Sequence, residues 1–375
     1  MASRPSMLYI TPVVPSLGGN GLAMRAGVVL ELLAARYDVH LLVARMYPPF
    51  GEVPEALARL CRRRAIVPAR PRGGGAPPQV WKGERFEFVH VFRLAMLPVA
   101  RPYLGGLLRR PKRHLDLDDI ESATRRRLAA LFRQNGDTAR ADVEDTEAAR
   151  HAELEAEALQ SFDRVYVCSA ADRQTLADRA RAELFVLPNA VRPLEDVPDA
   201  PVDSCFTFLF AGTLGYYPNE DAVRWLCTEI VPRIRALAGE GFEVHIAGAA
   251  APKGLRETVE GARLRWIGEV ENLAPYYAAA HAVIVPLRAG GGTRIKVLEA
   301  FGYRRPVVAT SIGVEGIEAR PDEEVLLGDT PDEIAHHCAR LIADGALRER
   351  LACHAHALLL RNYTIDALGR ALDGR

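Results

Sequence analysis

Apolar and polar positions along this chain alternate between two rhythms. Residues 7–13 (MLYITPV) are a short apolar run, residues 15–21 a glycine-bearing loop, residues 22–37 repeat at helical spacing, and residues 38–44 are apolar again. That order is a βαβ start. Further strands are expected at 86–91 and at 114–117, the latter running into Asp118, Asp119 and Glu121. A long charged helical region at about 122–162 follows, then a strand at 164–168, a helix opening at Ser169 and a last strand at 185–187. Residues 191–203 (VRPLEDVPDAPVD) are rich in proline and acid, as suits an exposed linker.

A second α/β series begins with FTFLFAGTLGY. It continues with a helix at 219–238, strands at 243–247 and 263–267, a helix at 274–280 and a strand at 282–287. The pattern predicts two doubly wound domains, at 1–190 and 204–355, joined by the linker and facing one another across a cleft that would be the natural active site. Residues 356–375 are expected to form a terminal helix crossing back to the first domain.

The densest chemistry lies at 286–318. The run 282–287 is β-branched and bounded by Pro286 and glycines, as in a buried parallel strand. Gly290, Gly291 and Gly292 remove three side chains in succession, so backbone amides can approach a ligand and take up positive φ. Thr293 is placed to cap a helix over 293–302, whose amino end favours an anion. Arg294 and Lys296 add two positive charges there, and Glu299 can accept hydrogen bonds from both hydroxyls of a ribose. Residues 306–310 (PVVAT) are the next buried strand. Taken singly, each feature has a plain structural reading as a turn, a solvated helix face or a surface carboxylate. Their coincidence at the carboxyl end of a parallel strand points to a site for phosphates and a sugar diol.

Composition narrows the alternatives. The 375 residues contain 48 basic and 48 acidic side chains, so there is no global basic field and nucleic acid is not an expected partner. The arginines at 59, 62, 63, 64, 70 and 72 are a local cluster that an anionic membrane or acceptor could use, which allows a weak peripheral membrane contact. Six scattered cysteines without a CxxC pair suit free thiols in a reducing cytoplasm. Ten histidines show no zinc-like spacing, and Asp116-Leu117-Asp118 spells a DxD too short to carry a metal site, so no metal is expected. No long apolar segment or signal-peptide pattern is present, and a soluble protein is expected, in the cytoplasm or at the inner face of the membrane. The loop SLGGNGLAMR fails as a dinucleotide fingerprint: Met24 stands where the third glycine should, and no acid ends the strand DVHLLVA.

From Val165 nearly to the carboxyl terminus the sequence resembles the retaining glycosyltransferases of family 4, which have the GT-B architecture of two Rossmann-like domains. The resemblance rests on VCSAADRQTL, VLPNAV, FAGTLGYYPNEDAV, IAGAA, WIGEVENLAPYYAAAHAVIVPL and GGGTRIKVLEAFGYRRPVVAT, matched in order. It implies a nucleoside diphosphate sugar as co-substrate, no separate cofactor, an unknown hydroxyl acceptor, and a reaction in which no divalent ion is obligatory. Glu299 would hold the ribose, and the loop 290–293 would contact the donor sugar and diphosphate. Arg294 and Lys296 would neutralise the leaving group, Gly268 and Val270 would frame the base, and Gly212 would lie in the donor loop. Gly18 and Gly19 would close over the diphosphate from the other domain.

There are departures from the family pattern. Gly291 stands where relatives often have a first glutamate, the loop GTLGYYPNE lacks the usual Arg and Lys, and Asp118 falls where many members place a catalytic histidine. Asp118 therefore has two readings, a catalytic carboxylate or a helix cap. His90 reads as a packed residue. Two rival functions remain open: a GT-B sugar-nucleotide 2-epimerase and a non-catalytic sugar-nucleotide-binding partner.

Overall fold

The computed structural model describes residues 4–48, 50–69, 80–81, 83–105, 110–199 and 205–373. The chain divides into two compact units, residues 1–126 with 142–189 and residues 127–141 with 190–375.

The first unit is built on a seven-stranded sheet. Its elements are β1 (Ser6–Thr11), α1 (Gly21–Ala34), β2 (Asp38–Arg45), α2 (Glu55–Ala58), β3 (Cys61–Pro68), β4 (Phe88–Phe92), α3 (Leu97–Leu104) and β5 (Lys112–Asp116). The helices α4 (Glu121–Gln134) and α5 (Thr138–Ser161) follow, then β6 (Arg164–Val167), α6 (Ala170–Ala177) and β7 (Glu183–Val186). The strands lie in the order β3-β2-β1-β4-β5-β6-β7, and every pairing is parallel. Central strands buried on both faces must be apolar throughout, and Met7, Leu8, Tyr9 and Ile10 are fully enclosed. Asn20 starts α1 by accepting from the amides of Leu22 and Ala23.

The arginine cluster has a structural place. Arg62, Arg63 and Arg64 are exposed on the edge strand β3, where charge discourages a further strand from pairing. Arg63 is paired with Glu84, Arg62 lies 3.6 Å from Asp38 and Arg59 lies 3.0 Å from Glu55. Arg70 and Arg72 lie outside the described residues.

The second unit repeats the doubly wound plan. It comprises β8 (Phe206–Ala211), α7 (Tyr217–Trp225), α8 (Val231–Ala238), β9 (Phe242–Ala247), α9 (Leu255–Gly261), β10 (Arg265–Gly268), α10 (Ala274–Ala279), β11 (Ala282–Val285), α11 (Ile295–Gly302), β12 (Val307–Ala309) and β13 (Leu326–Leu327). The helices α12 (Pro331–Ala343), α13 (Gly345–Asn362) and α14 (Ile365–Leu372) end the chain. The order is β10-β9-β8-β11-β12-β13, again all parallel. The helix expected over 219–238 is instead α7 and α8 joined by a π-helical segment at Leu226–Ile230.

Three features of the organisation add to the sequence reading. The charged region at 122–162 is a helical hairpin, broken at Asn135-Gly136-Asp137, where Gly136 has φ +82°. The tip of that hairpin, 127–141, groups with the second unit. Its Leu128, Leu131, Phe132 and Ala141 form an apolar cluster with Ala289, against which Tyr217 packs. The third concerns the carboxyl terminus: α13 runs through position 356 without a break, and the described residues 356–373 group with the second unit. The described part of the linker is mostly exposed but tied to the second unit, through the Val191 amide on the Tyr363 carbonyl (3.0 Å) and the Asp199 carbonyl on Arg305 (2.8 Å).

Candidate functional site

In the second unit the strand order reverses direction between β8 and β11, the topological switch point at which open α/β sheets leave a crevice. Glycines let the backbone close up along this edge. A side chain on Gly248, just after β9, would collide with the Gly212 carbonyl, 1.8 Å from the Cβ position. The Gly248 amide donates to the Gly268 carbonyl at the end of β10 (2.7 Å). Gly268 itself has φ +74°, and Val270 follows it half-buried.

After β11 the chain enters the glycine loop. Gly290 (φ +128°) and Gly292 (φ +69°) occupy conformations that L side chains disfavour, which explains two of the three glycines. Helix α11 then begins at Ile295 with Arg294 at the cap position and no side chain capping its first turn. Thr293 is therefore not the cap. The uncapped amino end keeps its dipole and amides facing the loop, the arrangement that attracts an anion.

Lys296, on the first turn, points at the end of β8. Its ammonium donates to Asn219 Oδ1 (2.7 Å), lies 4.4 Å from the centre of the Phe210 ring, and would be 2.7 Å from a Cβ placed on Gly212. Gly212 is thus the residue that makes room for the lysine. Glu299, nearly one turn further, accepts a hydrogen bond from the Tyr277 hydroxyl (3.0 Å). Both charged groups resist ionisation. Burial, then the neighbouring Arg294, lowers the Lys296 pKa to about 7, with Glu299 opposing the shift. Burial raises Glu299 to about 7 against the pull of the Tyr277 hydrogen bond and of Lys296. An anionic ligand would complete the lysine's charge balance, and a diol would solvate the carboxylate.

Arg294 is placed differently from expectation. Its guanidinium turns back on the loop, donating to the carbonyls of Gly291, Gly292 (3.0 Å) and Ile312 (3.0 Å), and the side chain is 7% exposed. It shapes the loop, which leaves Lys296 as the cation facing Gly212.

Seven residues of this site escaped the sequence reading. Asn219 and Tyr277 hold Lys296 and Glu299. Arg127, on the hairpin tip, donates to the Gly290 carbonyl (3.1 Å) and makes a bidentate pair with Glu315 (2.6 Å for one arm). The same tip contributes Asn135, which donates to Asp221 Oδ1 (2.8 Å), while Arg288 pairs with Asp221 (2.6 Å). The only signal for the tip's role was its Asn-Gly-Asp break.

The remaining candidates lie in the first unit. Gly18 and Gly19 form the loop after β1, with Gly19 at φ +88°. Asp118 follows β5 at φ +59°, and its carboxylate is held by Arg93 (3.0 Å) and Arg25 (3.3 Å) rather than by the first-turn amides of a helix. It is therefore an ion-pair residue and not a cap. Arg25 also grips Asp116 (2.7 Å) and Asn189 (3.2 Å). His90 is buried among Tyr9, His114 and Tyr166, and burial, His114 and Arg25 lower its pKa well below the ordinary value. Among the described residues no group of three His, Cys, Asp or Glu side chains is placed to hold a metal ion, and no helix is long and apolar enough to cross a membrane.

The fold and this crevice define a class. Both units are parallel-sheet Rossmann-like domains, and the chain has the GT-B fold found in glycosyltransferase structures. Residues 205–344 match the family described as glycosyl transferases group 1. Among solved structures, the chain is similar to sucrose-phosphate synthase from Thermosynechococcus elongatus, with 15% identity, a TM-score of 0.71 and 98% of each chain covered. It is also similar to Anabaena Alr3699/HepE in complex with UDP and glucose, with 14% identity, a TM-score of 0.70 and 99% of this chain and 98% of that one covered. The complex of the same Anabaena protein with UDP-glucose matches at 14% identity and a TM-score of 0.69, over 99% and 98% of the two chains. No curated protein matches the sequence.

Proposed function

We propose that this protein is a retaining glycosyltransferase that moves a sugar from a nucleoside diphosphate sugar to an acceptor hydroxyl. The observation that carries the reading is the convergence of Lys296, the uncapped amino end of α11 and Glu299 at the β8/β11 switch point. The group 1 match over this unit and the UDP and UDP-glucose named for the Anabaena structures support the same donor class.

In this proposal the donor diphosphate lies against the glycine loop and the first turn of α11, and Glu299 accepts from the ribose hydroxyls. The bond from the anomeric carbon to the diphosphate oxygen breaks, and its electron pair leaves with the phosphate. The acceptor oxygen bonds to the same face of that carbon, and its proton passes to the departing phosphate oxygen. Charge accumulates on the diphosphate, so a fixed ammonium and preorganised amides lower the barrier without any protein nucleophile. Asp118 enters as a positioning group that orders Arg93 and Arg25.

The test is to incubate the protein with a panel of UDP-, GDP- and ADP-sugars, with and without a mixture of acceptor glycosides, and to follow nucleoside diphosphate release and the sugar's fate. Glycoside product, or slow acceptor-independent hydrolysis of one donor, is expected. Conversion of the donor to its 2-epimer would establish the epimerase reading instead, and tight donor binding with neither outcome would leave a binding protein.

A further inference from the structure

Among the described residues Arg305 is the largest side chain that is fully buried, at 1% exposed. It stands in the turn between α11 and β12, at the far end of α11 from the glycine loop. Enclosing a guanidinium is costly unless its N–H groups are bonded. Here they go to backbone carbonyls. Nε donates to Tyr277 (3.0 Å), and one terminal nitrogen donates to Ala278 (2.9 Å) and to Asp199 (2.8 Å).

Tyr277 and Ala278 lie in the last turn of α10, whose closing carbonyls have no partner further along the helix. A cation there also meets the negative end of the helix dipole. The Arg305 amide, for its part, donates to the Ala300 carbonyl (2.9 Å) just past a left-handed Arg304 (φ +53°), closing the end of α11. One residue thus terminates both helices, α11 through its main chain and α10 through its side chain. The bond to Asp199 fastens the end of the described linker to the same point.

That bracket bears on Glu299, because the two helices carry the two halves of one hydrogen bond. Tyr277 is on α10 and Glu299 on α11, and the hydroxyl of the first donates to the carboxylate of the second (3.0 Å). Tyr277 has little freedom of its own: it is 1% exposed, and its ring stacks on Tyr303 with centroids 5.2 Å apart and planes 13° from parallel. Its hydroxyl therefore goes where the α10 backbone takes it, and Arg305 bonds that backbone at Tyr277 itself. Hydrogen bonds weaken steeply with misalignment, so a small displacement of α10 is felt at Glu299. Lysine is a poor substitute here, since its donors radiate from one nitrogen whereas the guanidinium plane spaces them to meet successive carbonyls.

We propose that Arg305 is a positioning residue for the ribose site: by clamping the end of α10 to the end of α11 it sets the Tyr277–Glu299 hydrogen bond and so prepares Glu299 to receive a diol. The assignment to a ribose rests on the glycosyl-transfer reading; the coupling of Arg305 to Glu299 does not.

The titration of Glu299 reports that bond. Burial raises its pKa to about 7, the Tyr277 hydrogen bond and Lys296 hold it down, and Tyr303 is a further titratable group facing it. Carbon-detected NMR of the full chain labelled at glutamate carboxyls follows the group, assigned by its loss in Glu299→Gln. Arg305→Met should raise the Glu299 midpoint by about 0.5–1 pH unit, and Arg305→Lys by a smaller amount. Tyr277→Phe should raise it at least as far as Arg305→Met, and adding Arg305→Met to Tyr277→Phe should change nothing more. A merely structural arginine would lower the melting temperature and leave the titration in place. If Arg305→Met does not fold, Arg305→Lys carries the comparison. An unmoved midpoint in the Arg305 variants, or a shift that persists in full on the Tyr277→Phe background, would overturn the proposal. UDP, GDP and ADP are titrated into the same samples, and the affinity of one that binds the parent should fall about threefold or more in Arg305→Met. A diphosphate that binds while the Glu299 midpoint ignores Arg305 refutes this inference alone, whereas failure of every diphosphate refutes the donor reading beneath it.

Discussion

Replacing Glu299 by glutamine should stabilise the protein and damage donor binding at once. The carboxyl pKa rises from its ordinary 4.5 to about 7, chiefly through burial. A shift of that size corresponds to an ionisation penalty of about 3 kcal/mol. The half-buried side chain keeps some solvent and has Lys296 nearby, so about 1–2 kcal/mol is the expected net effect. The sign follows from proton linkage. Between pH 4.5 and about 7 the folded state holds a proton that the unfolded state has lost, so stability falls as pH rises through that window. The penalty is complete above it. Glutamine has no proton to lose and keeps an acceptor for the Tyr277 hydroxyl. At pH 8.5, where Lys296 with its pKa near 7 is mostly neutral, removing the carboxylate costs the lysine little. Thermal unfolding followed by circular dichroism should show Glu299→Gln melting about 2–8 °C above the parent at pH 8.5 and level with it near pH 4.5. Nucleoside diphosphate affinity should fall about 10- to 100-fold, because charge-assisted bonds to the ribose are lost. A variant less stable at pH 8.5, or one with unchanged affinity, would refute the reasoning.

Two further outcomes follow from the same geometry. Because the free protein holds Lys296 largely neutral at pH 8, diphosphate binding should raise its pKa and draw in close to one proton; calorimetry in buffers of different ionisation enthalpy would read this, and buffer-independent heats would contradict it. Arg127→Ala removes the bidentate pair with Glu315 and the bond to Gly290. Both side chains are about one-third exposed, so the cost in stability should be only about 1 kcal/mol. Amide exchange across residues 288–294 should nevertheless accelerate, and unchanged exchange there would show that the hairpin tip does not order the loop.

How far the sequence disclosed this site depended on whether the controlling interactions were local. The β11, glycine loop and α11 succession was legible because a β-branched run, three glycines and an amphipathic turn are local signals, and Lys296 and Glu299 lie on that helix. The direction of Arg294 was not, since a long side chain at a helix start reaches the loop's own carbonyls as easily as a ligand. Strand β3 was missed because CRRRAIVP reads as a charged run, yet an edge strand tolerates arginines on its open side. The hairpin tip was unreadable for a different reason: the helical period of α4 shows which residues share a face, but not which surface that face will meet. Phe132 stacking on Tyr217 and Arg127 on Glu315 are long-range facts.

The most direct test of the central claim is an isothermal titration of UDP, GDP and ADP into the intact protein and into Lys296→Ala at pH 7.5. The account predicts that at least one diphosphate binds the parent, that the corresponding monophosphate binds more weakly, and that Lys296→Ala loses about 10- to 100-fold in affinity without a change in its far-ultraviolet spectrum. Equal affinity in the two proteins, or no binding of any diphosphate to the parent, would contradict it.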